Sequence, residues 1–117
     1  MAISTNIYDM QAEKGDTVKH RITVKDTNES AIDITGGAAV YTVRKNSPQG
    51  DIVIQETTSG NVTLSDPTNG KLIATIPFAT MAGLEVGRKY FYDCQLTLSG
   101  ERHTVQKGKF AVVYDVT

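Results

Sequence analysis

The chain contains no tryptophan, one cysteine, three prolines and no apolar run of the about eighteen residues that a membrane-spanning helix needs. Each shortage removes a class of answer. The lone Cys94 can form neither an internal disulfide nor a thiolate zinc cluster, so nothing calls for an oxidising compartment. Without tryptophan there is no buried indole of the antibody kind, and few aromatics remain to build a platform for sugars. Neither sign of charge dominates: twelve Lys and Arg are interspersed with thirteen Asp and Glu, for a net charge of −1. A duplex nucleic-acid binder usually shows a basic face or a high pI, so no nucleic-acid partner is expected. The opening residues MAISTNIYDMQAEKGD hold no apolar core and no early basic cluster, which argues against a secretory signal and, with the missing spans, against a membrane partner. A length of 117 residues suits a single domain over residues 1–117.

What the chain does have is strand signal nearly throughout, because Val, Ile and Thr favour a pleated, half-buried surface. TVKHRITVK (17–25) alternates Val18, His20, Ile22 and Val24 against Lys19, Arg21, Thr23 and Lys25. AAVYTVRK (38–45) sets Ala39, Tyr41 and Val43 on one face, and NSPQG (46–50) then breaks the chain. DIVIQET (51–57) follows, and NVTLS (61–65) reaches KLIATI (71–76) through the turn residues DPTNG. PFATMAGLEVG (77–87) is the one stretch suited to a helical turn, and a brief one. A long strand from Tyr90 places Tyr90, Tyr92, Cys94, Leu96 and Leu98 inward, with a hairpin at Ser99-Gly100-Glu101 before the last strand. The spacing predicts an all-β, immunoglobulin-like antiparallel β-sandwich of about seven to eight strands. Leu84, Gly87 and Tyr90 fit the tyrosine corner of such sandwiches: a plug, a tight turn, and a hydroxyl that bonds to the backbone a few residues upstream. By this reading, losing the hydroxyl of Tyr90 costs more than losing that of Tyr92.

Cys94 lies in a Tyr-x-Cys pattern like that of antibody domains, but it has no second cysteine and reads as a small buried hydrophobe. The last strand has a problem of phase. A two-residue turn would send Val105, Lys107 and Lys109 inward, whereas Phe110, Val112 and Tyr114 form the apolar set further on. One residue must be absorbed, and Gly108 is the preferred place for a bulge, with Gly100 the alternative.

Chemistry is sparse. His20 and His103 have no partner set at recognisable spacing and read as packed or solvated. Asp66-Pro67-Thr68-Asn69-Gly70 begins like a calcium loop, but its twelfth position is Pro77, so it reads as a turn and no metal is expected. Lys71 follows a turn glycine without phosphate-loop spacing. Arg88-Lys89 and Lys107-Gly108-Lys109 would form a charged rim that discourages edge pairing. No catalytic residue, metal ligand or cofactor site emerges, and the chain is not expected to be an enzyme. The informative oddity is apolar residues on faces that ought to be wet. Ile52-Val53-Ile54 and Ala111-Val112-Val113-Tyr114 are apolar on both faces, and Phe91 opposes Tyr90 and Tyr92. Val53, Phe91 and Val113 are therefore the candidate protein-contact residues. For Phe91 a second reading stands beside this one, as a shield over Gly108 on the neighbouring strand.

One combination of features resembles a known group. Ile32-Asp33-Ile34-Thr35-Gly36 leads into Ala39-Val40-Tyr41-Thr42-Val43. Gly70 precedes an apolar strand, and Leu84, Gly87, Tyr90-x-Tyr92-Asp93, Ser99-Gly100 and Gly108-x-Phe110 follow. From about residue 15 onward the chain is similar to the immunoglobulin-like modules of tailed-phage virion proteins, in particular the amino-terminal domain of baseplate upper proteins and related tail-fibre modules. The resemblance implies a non-catalytic adaptor located in the virion and assembled in the bacterial host cytoplasm. It implies other virion structural proteins as partners and a homo-oligomer, with a trimer expected. The family continues into a stalk where this chain reaches Asp115-Val116-Thr117, which shifts the expectation from receptor binding to an adaptor, plug or decoration role. A capsid decoration (cement) protein and a carbohydrate-binding module are the alternatives.

Overall fold

The computed structural model describes residues 3–114. Among the described residues there are nine strands: β1 (Asn6–Ile7), β2 (Met10–Glu13), β3 (Val18–Thr23), β4 (Ala38–Lys45), β5 (Ile52–Thr57), β6 (Val62–Asp66), β7 (Lys71–Ile76), β8 (Tyr90–Leu98) and β9 (Glu101–Val113). A single helical turn, α1 (Phe78–Met81), lies between β7 and β8. The small sheet has the order β3-β7-β6, and the large one β1-β9-β8-β4-β5, with β2 also on β9. This is the strand arrangement of an immunoglobulin-like sandwich, with β5 in the place of the extra strand that variable-type domains add beside β4. The expected fold class is therefore observed. The count exceeds the expectation because the segment before residue 17, which does not alternate, supplies β1 and β2. Both run parallel to β9 rather than antiparallel. Asp115, Val116 and Thr117, where the sequence reading ended the chain, lie outside the described residues.

Alternation explains the core. Val18, His20 and Ile22 of β3 are buried while Lys19 and Arg21 are exposed. Tyr90, Tyr92, Cys94 and Leu96 of β8 are buried, with Leu98 half-buried. Ile32 and Ile34 close the sandwich from the loop after β3, without belonging to a strand. Cys94 has no exposed surface, and its burial, aided by the neighbouring Asp93 carboxylate, pushes the thiol pKa up to about 12. A thiol reagent at neutral pH is expected to label Cys94 only at the rate of global unfolding. Fast labelling of native protein would invert the facing of all of β8.

The tyrosine corner forms as its residues predict. The Glu85 N–H donates to the Tyr90 hydroxyl at 2.8 Å, Leu84 is buried, and Gly87 turns with φ 84°. Tyr90→Phe is expected to cost about 1 kcal/mol in urea unfolding, the worth of one partly buried hydrogen bond. An unchanged midpoint would deny the corner any stabilising role.

The phase of β9 is solved differently from expectation. Ser99 and Gly100 form the two-residue turn, both with positive φ (53° and 81°), and Leu98 pairs directly with Glu101. Gln95 pairs with Thr104 and Cys94 with Gln106, so the extra residue is Val105, not Gly108 or Gly100. Val105 and Gln106 are both buried. That is possible because Val105 joins the core while Gln106 finds polar partners. Gly108 sits in regular pairing opposite Tyr92. It must be glycine for another reason: a Cβ there would overlap the Tyr8 carbonyl where the chain crosses from β1 to β2.

Candidate contact surface

Beneath β1 and β2, four strands bring polar side chains into one buried network. The His20 ring on β3 lies 2.8 Å from the Tyr41 hydroxyl through Nδ1 and 2.8 Å from Gln106 Nε2 through its own Nε2. Gln106 also donates to the Tyr92 hydroxyl at 3.1 Å and accepts from Asn6 Nδ2 at 3.2 Å. The Tyr92 hydroxyl donates onward to the Tyr8 carbonyl, and Tyr41 donates to Met10 Sδ at 3.3 Å. These bonds run in one consistent direction only if His20 is neutral and protonated on Nδ1, because an amide nitrogen can only donate to its Nε2. Burial fits that state, lowering the His20 pKa from 6.5 to about 4. Desolvation likewise raises Tyr92 to about 12 and Tyr41 well above the usual phenol range.

With both ring nitrogens engaged, His20 has no free lone pair or proton for an external substrate. It is a packed histidine, and the network ties the crossover between β1 and β2 to the core. The sequence ranks the Tyr90 hydroxyl above that of Tyr92. In the structure the Tyr92 hydroxyl has two partners, the Tyr8 carbonyl and Gln106, and the Tyr90 hydroxyl has one, the Glu85 N–H. His103 lies half-exposed on the final hairpin, 3.6 Å from Glu101. Among the described residues, no three His, Cys, Asp or Glu side chains converge as metal ligands would.

The outer face of the large sheet differs. Phe91 is half-buried there, in a recess of about 290 Å³ whose apolar wall includes Ile7 and Pro48. Arg44, Lys107 and Lys109 line the same recess, with Asp9 and Asp93 between them. Partial burial holds Asp93 above the usual carboxylate range, while Arg44 and Lys107 pull it the other way. Asp9 accepts the Lys109 N–H at 2.9 Å. An apolar floor within a rim of mixed charge on a sheet face can hold an apolar side chain of a partner, as protein interfaces do.

The three candidate contact residues do not form one patch. Phe91 pairs with Lys109 across the β8–β9 ladder and opens onto the recess. Val53 is the bulged residue of β5, between the pairs Val43–Ile54 and Arg44–Ile52, and it packs against the core. It lines a separate hollow with Leu84, Arg88 and Tyr90. Val113 is half-buried at the end of β9, paired with Glu13. The shielding of Gly108 falls to the Tyr8 carbonyl rather than to Phe91. The expected basic rim also divides: Arg88 is held by Glu85 at 2.9 Å and by Asn46, apart from Lys107 and Lys109. Ile7 and Pro48 were missed. Ile7 sits in a segment without alternation, and Pro48 reads only as a turn former. No family model matches the chain, and no curated protein matches it.

Proposed function

We propose that this chain is a non-catalytic immunoglobulin-like adaptor of a tailed-phage particle, in the tail, baseplate or fibre, acting through contacts with copies of itself and with other virion proteins. The observation that carries this reading is the contrast between the two groups of functional side chains. The buried His20, Tyr41 and Tyr92 are locked in a structural network, whereas the recess around Phe91, Ile7 and Pro48 is open on the outer sheet face. A rigid sheet with a half-buried aromatic at the centre of a charged rim has the anatomy of an interface core. Closed rings are the common solution for repeated contacts of one surface, and a trimer is the assembly proposed here. A capsid decoration protein would use the same surface at another site in the particle, and labelling of the chain in intact virions separates the two.

Light scattering on wild type and Phe91→Asp at matched concentration tests the contact. Wild type is expected at the trimer mass, and the variant is expected to assemble about tenfold or more weakly with unchanged β-sheet circular dichroism. A wild-type monomer at every concentration would remove self-assembly, and an oligomer indifferent to Phe91→Asp would remove this recess from the interface.

A further inference from the structure

β3 is an outermost strand of the small sheet, and the hydrogen-bond phase of that sheet decides what its free side offers. The Val24 N–H donates to the Gly70 carbonyl at 2.7 Å, which continues the register that pairs His20 with Ala74 and Ile22 with Leu72. Antiparallel partners alternate between hydrogen-bonded and non-bonded pairs, so the even-numbered residues of β3 direct their backbone groups at β7. β7 gives the same phase independently. Its Thr75 N–H bonds to the Asn61 carbonyl on the β6 side, which leaves Leu72, Ala74 and Ile76 for β3. Lys19, Arg21 and Thr23 therefore turn their N–H and C=O groups away from the sheet. Among the described residues no backbone group pairs with them there.

Further along, the same edge is already covered by a strand-like segment. The Ser4 N–H donates to the Lys25 carbonyl at 2.9 Å, and Ile3 bridges Asp26. The amino-terminal segment then leaves this edge to join β9, and a cleft of about 550 Å³ opens between the two sheets. Lys19, Arg21 and Lys25 are exposed along it, and none is in a salt bridge among the described residues. Of the two acids in the cleft, Asp26 is occupied in accepting the N–H groups of Asn28 and Ser30, and Glu29 sits in the loop beyond.

We propose that this edge docks an acidic, extended segment of another protein, which adds to the small sheet beside β3. Charge selects the occupant. A second copy laying its own β3 here would bring Lys19 and Arg21 against like charges, the device by which sheet edges avoid pairing with themselves. A strand with carboxylates at alternate positions instead meets opposite charge across from Lys19 and Arg21, while backbone bonds to Lys19, Arg21 and Thr23 supply sequence-independent affinity. Its intervening residues face the cleft, toward Tyr8, Met10 and Val105. The site is separate from the Phe91 recess, and it stands whether or not the chain is a phage adaptor.

Amide hydrogen exchange by NMR on the full chain tests this, with a peptide of about ten residues alternating Thr and Glu as probe, and its Thr–Lys counterpart as control. In the free protein the amides of Lys19, Arg21 and Thr23 are expected to exchange fast and those of His20 and Ile22 slowly. The Glu peptide should slow the three fast amides saturably by about tenfold or more, and the Lys peptide should not. The double variant Lys19→Glu, Arg21→Glu should exchange that preference for the Lys peptide, with slow His20 and Ile22 amides reporting an intact sheet. An equal response to both peptides, shift changes without protection of the three amides, or no response at millimolar peptide would overturn the proposal. Protection that rises with protein concentration in the absence of peptide would also overturn it, and would assign the edge to a second copy of this chain.

Discussion

Gly108→Ala is expected to destabilise the fold by about 3 kcal/mol, the upper range for overpacking a site that cannot yield. The added methyl would overlap the Tyr8 carbonyl and press on the Asp9 carboxylate. Those groups belong to the crossover between β1 and β2, which three bonds hold in place. The Tyr8 N–H donates to the Lys107 carbonyl, the Tyr92 hydroxyl donates to the Tyr8 carbonyl, and the Lys109 N–H donates to Asp9. Making room for the methyl means lifting the segment and losing several of these together. Urea midpoints decide the matter, with the exposed neighbour substitution Lys107→Ala as a reference expected within about 0.5 kcal/mol of wild type. A Gly108→Ala protein as stable as that reference would mean that the crossover does not lie on Gly108.

Acidification from pH 7 to pH 4 is expected to remove about 3 kcal/mol of stability through His20 alone. The folded protein holds this histidine neutral, with its pKa lowered from 6.5 to about 4 by burial. Between those values the unfolded chain binds the proton and the folded chain does not, so stability falls as pH falls through that window. The contribution is whole above pH 6.5 and levels off below about pH 4. Protonation would also put an N–H on Nε2 facing the Gln106 amide, two donors at 2.8 Å. The groups in contact with the ring are Tyr8, Tyr41, Tyr92 and Gln106, and no carboxylate among them rewards the charged form. His20→Gln should keep an acceptor and a donor in place and flatten the slope of unfolding free energy against pH across that window. A variant with the wild-type slope would assign the pH dependence to other groups.

Much of this fold is legible in the residues because β-strand periodicity is local. Val18 to Val24 and Tyr90 to Leu96 declare their inward faces by alternation alone, and Leu84, Gly87 and Tyr90 announce a corner whose hydrogen bond closes within a few residues. What was not legible depends on partners distant in the chain. Glycine bends cheaply and so draws the expected bulge to Gly108, yet the bulge lies at Val105. Gln106 can turn inward only because His20, Tyr92 and Asn6, on three other strands, meet its amide. Gly108 and Tyr8 touch across a separation that no local pattern records. The contact surface was half-read for the same reason. Phe91 stands out on its own strand, but Ile7 and Pro48 become its neighbours only once β1 lies beside β9 and the β4–β5 loop folds over.

The parallel pairing of β1 and β2 with β9 sets how this domain would bear mechanical load. A pull applied upstream of β1 and downstream of β9 draws the two strands past each other along their length. In that geometry the ladder from Asn6–Gln106 to Glu13–Val113 is sheared as a whole rather than opened one bond at a time. The side-chain ties of Asn6, Asp9 and the Tyr8 carbonyl lie across the same seam and resist the same sliding. Tension along the chain is therefore resisted in shear by the segment whose sequence reads least like a strand.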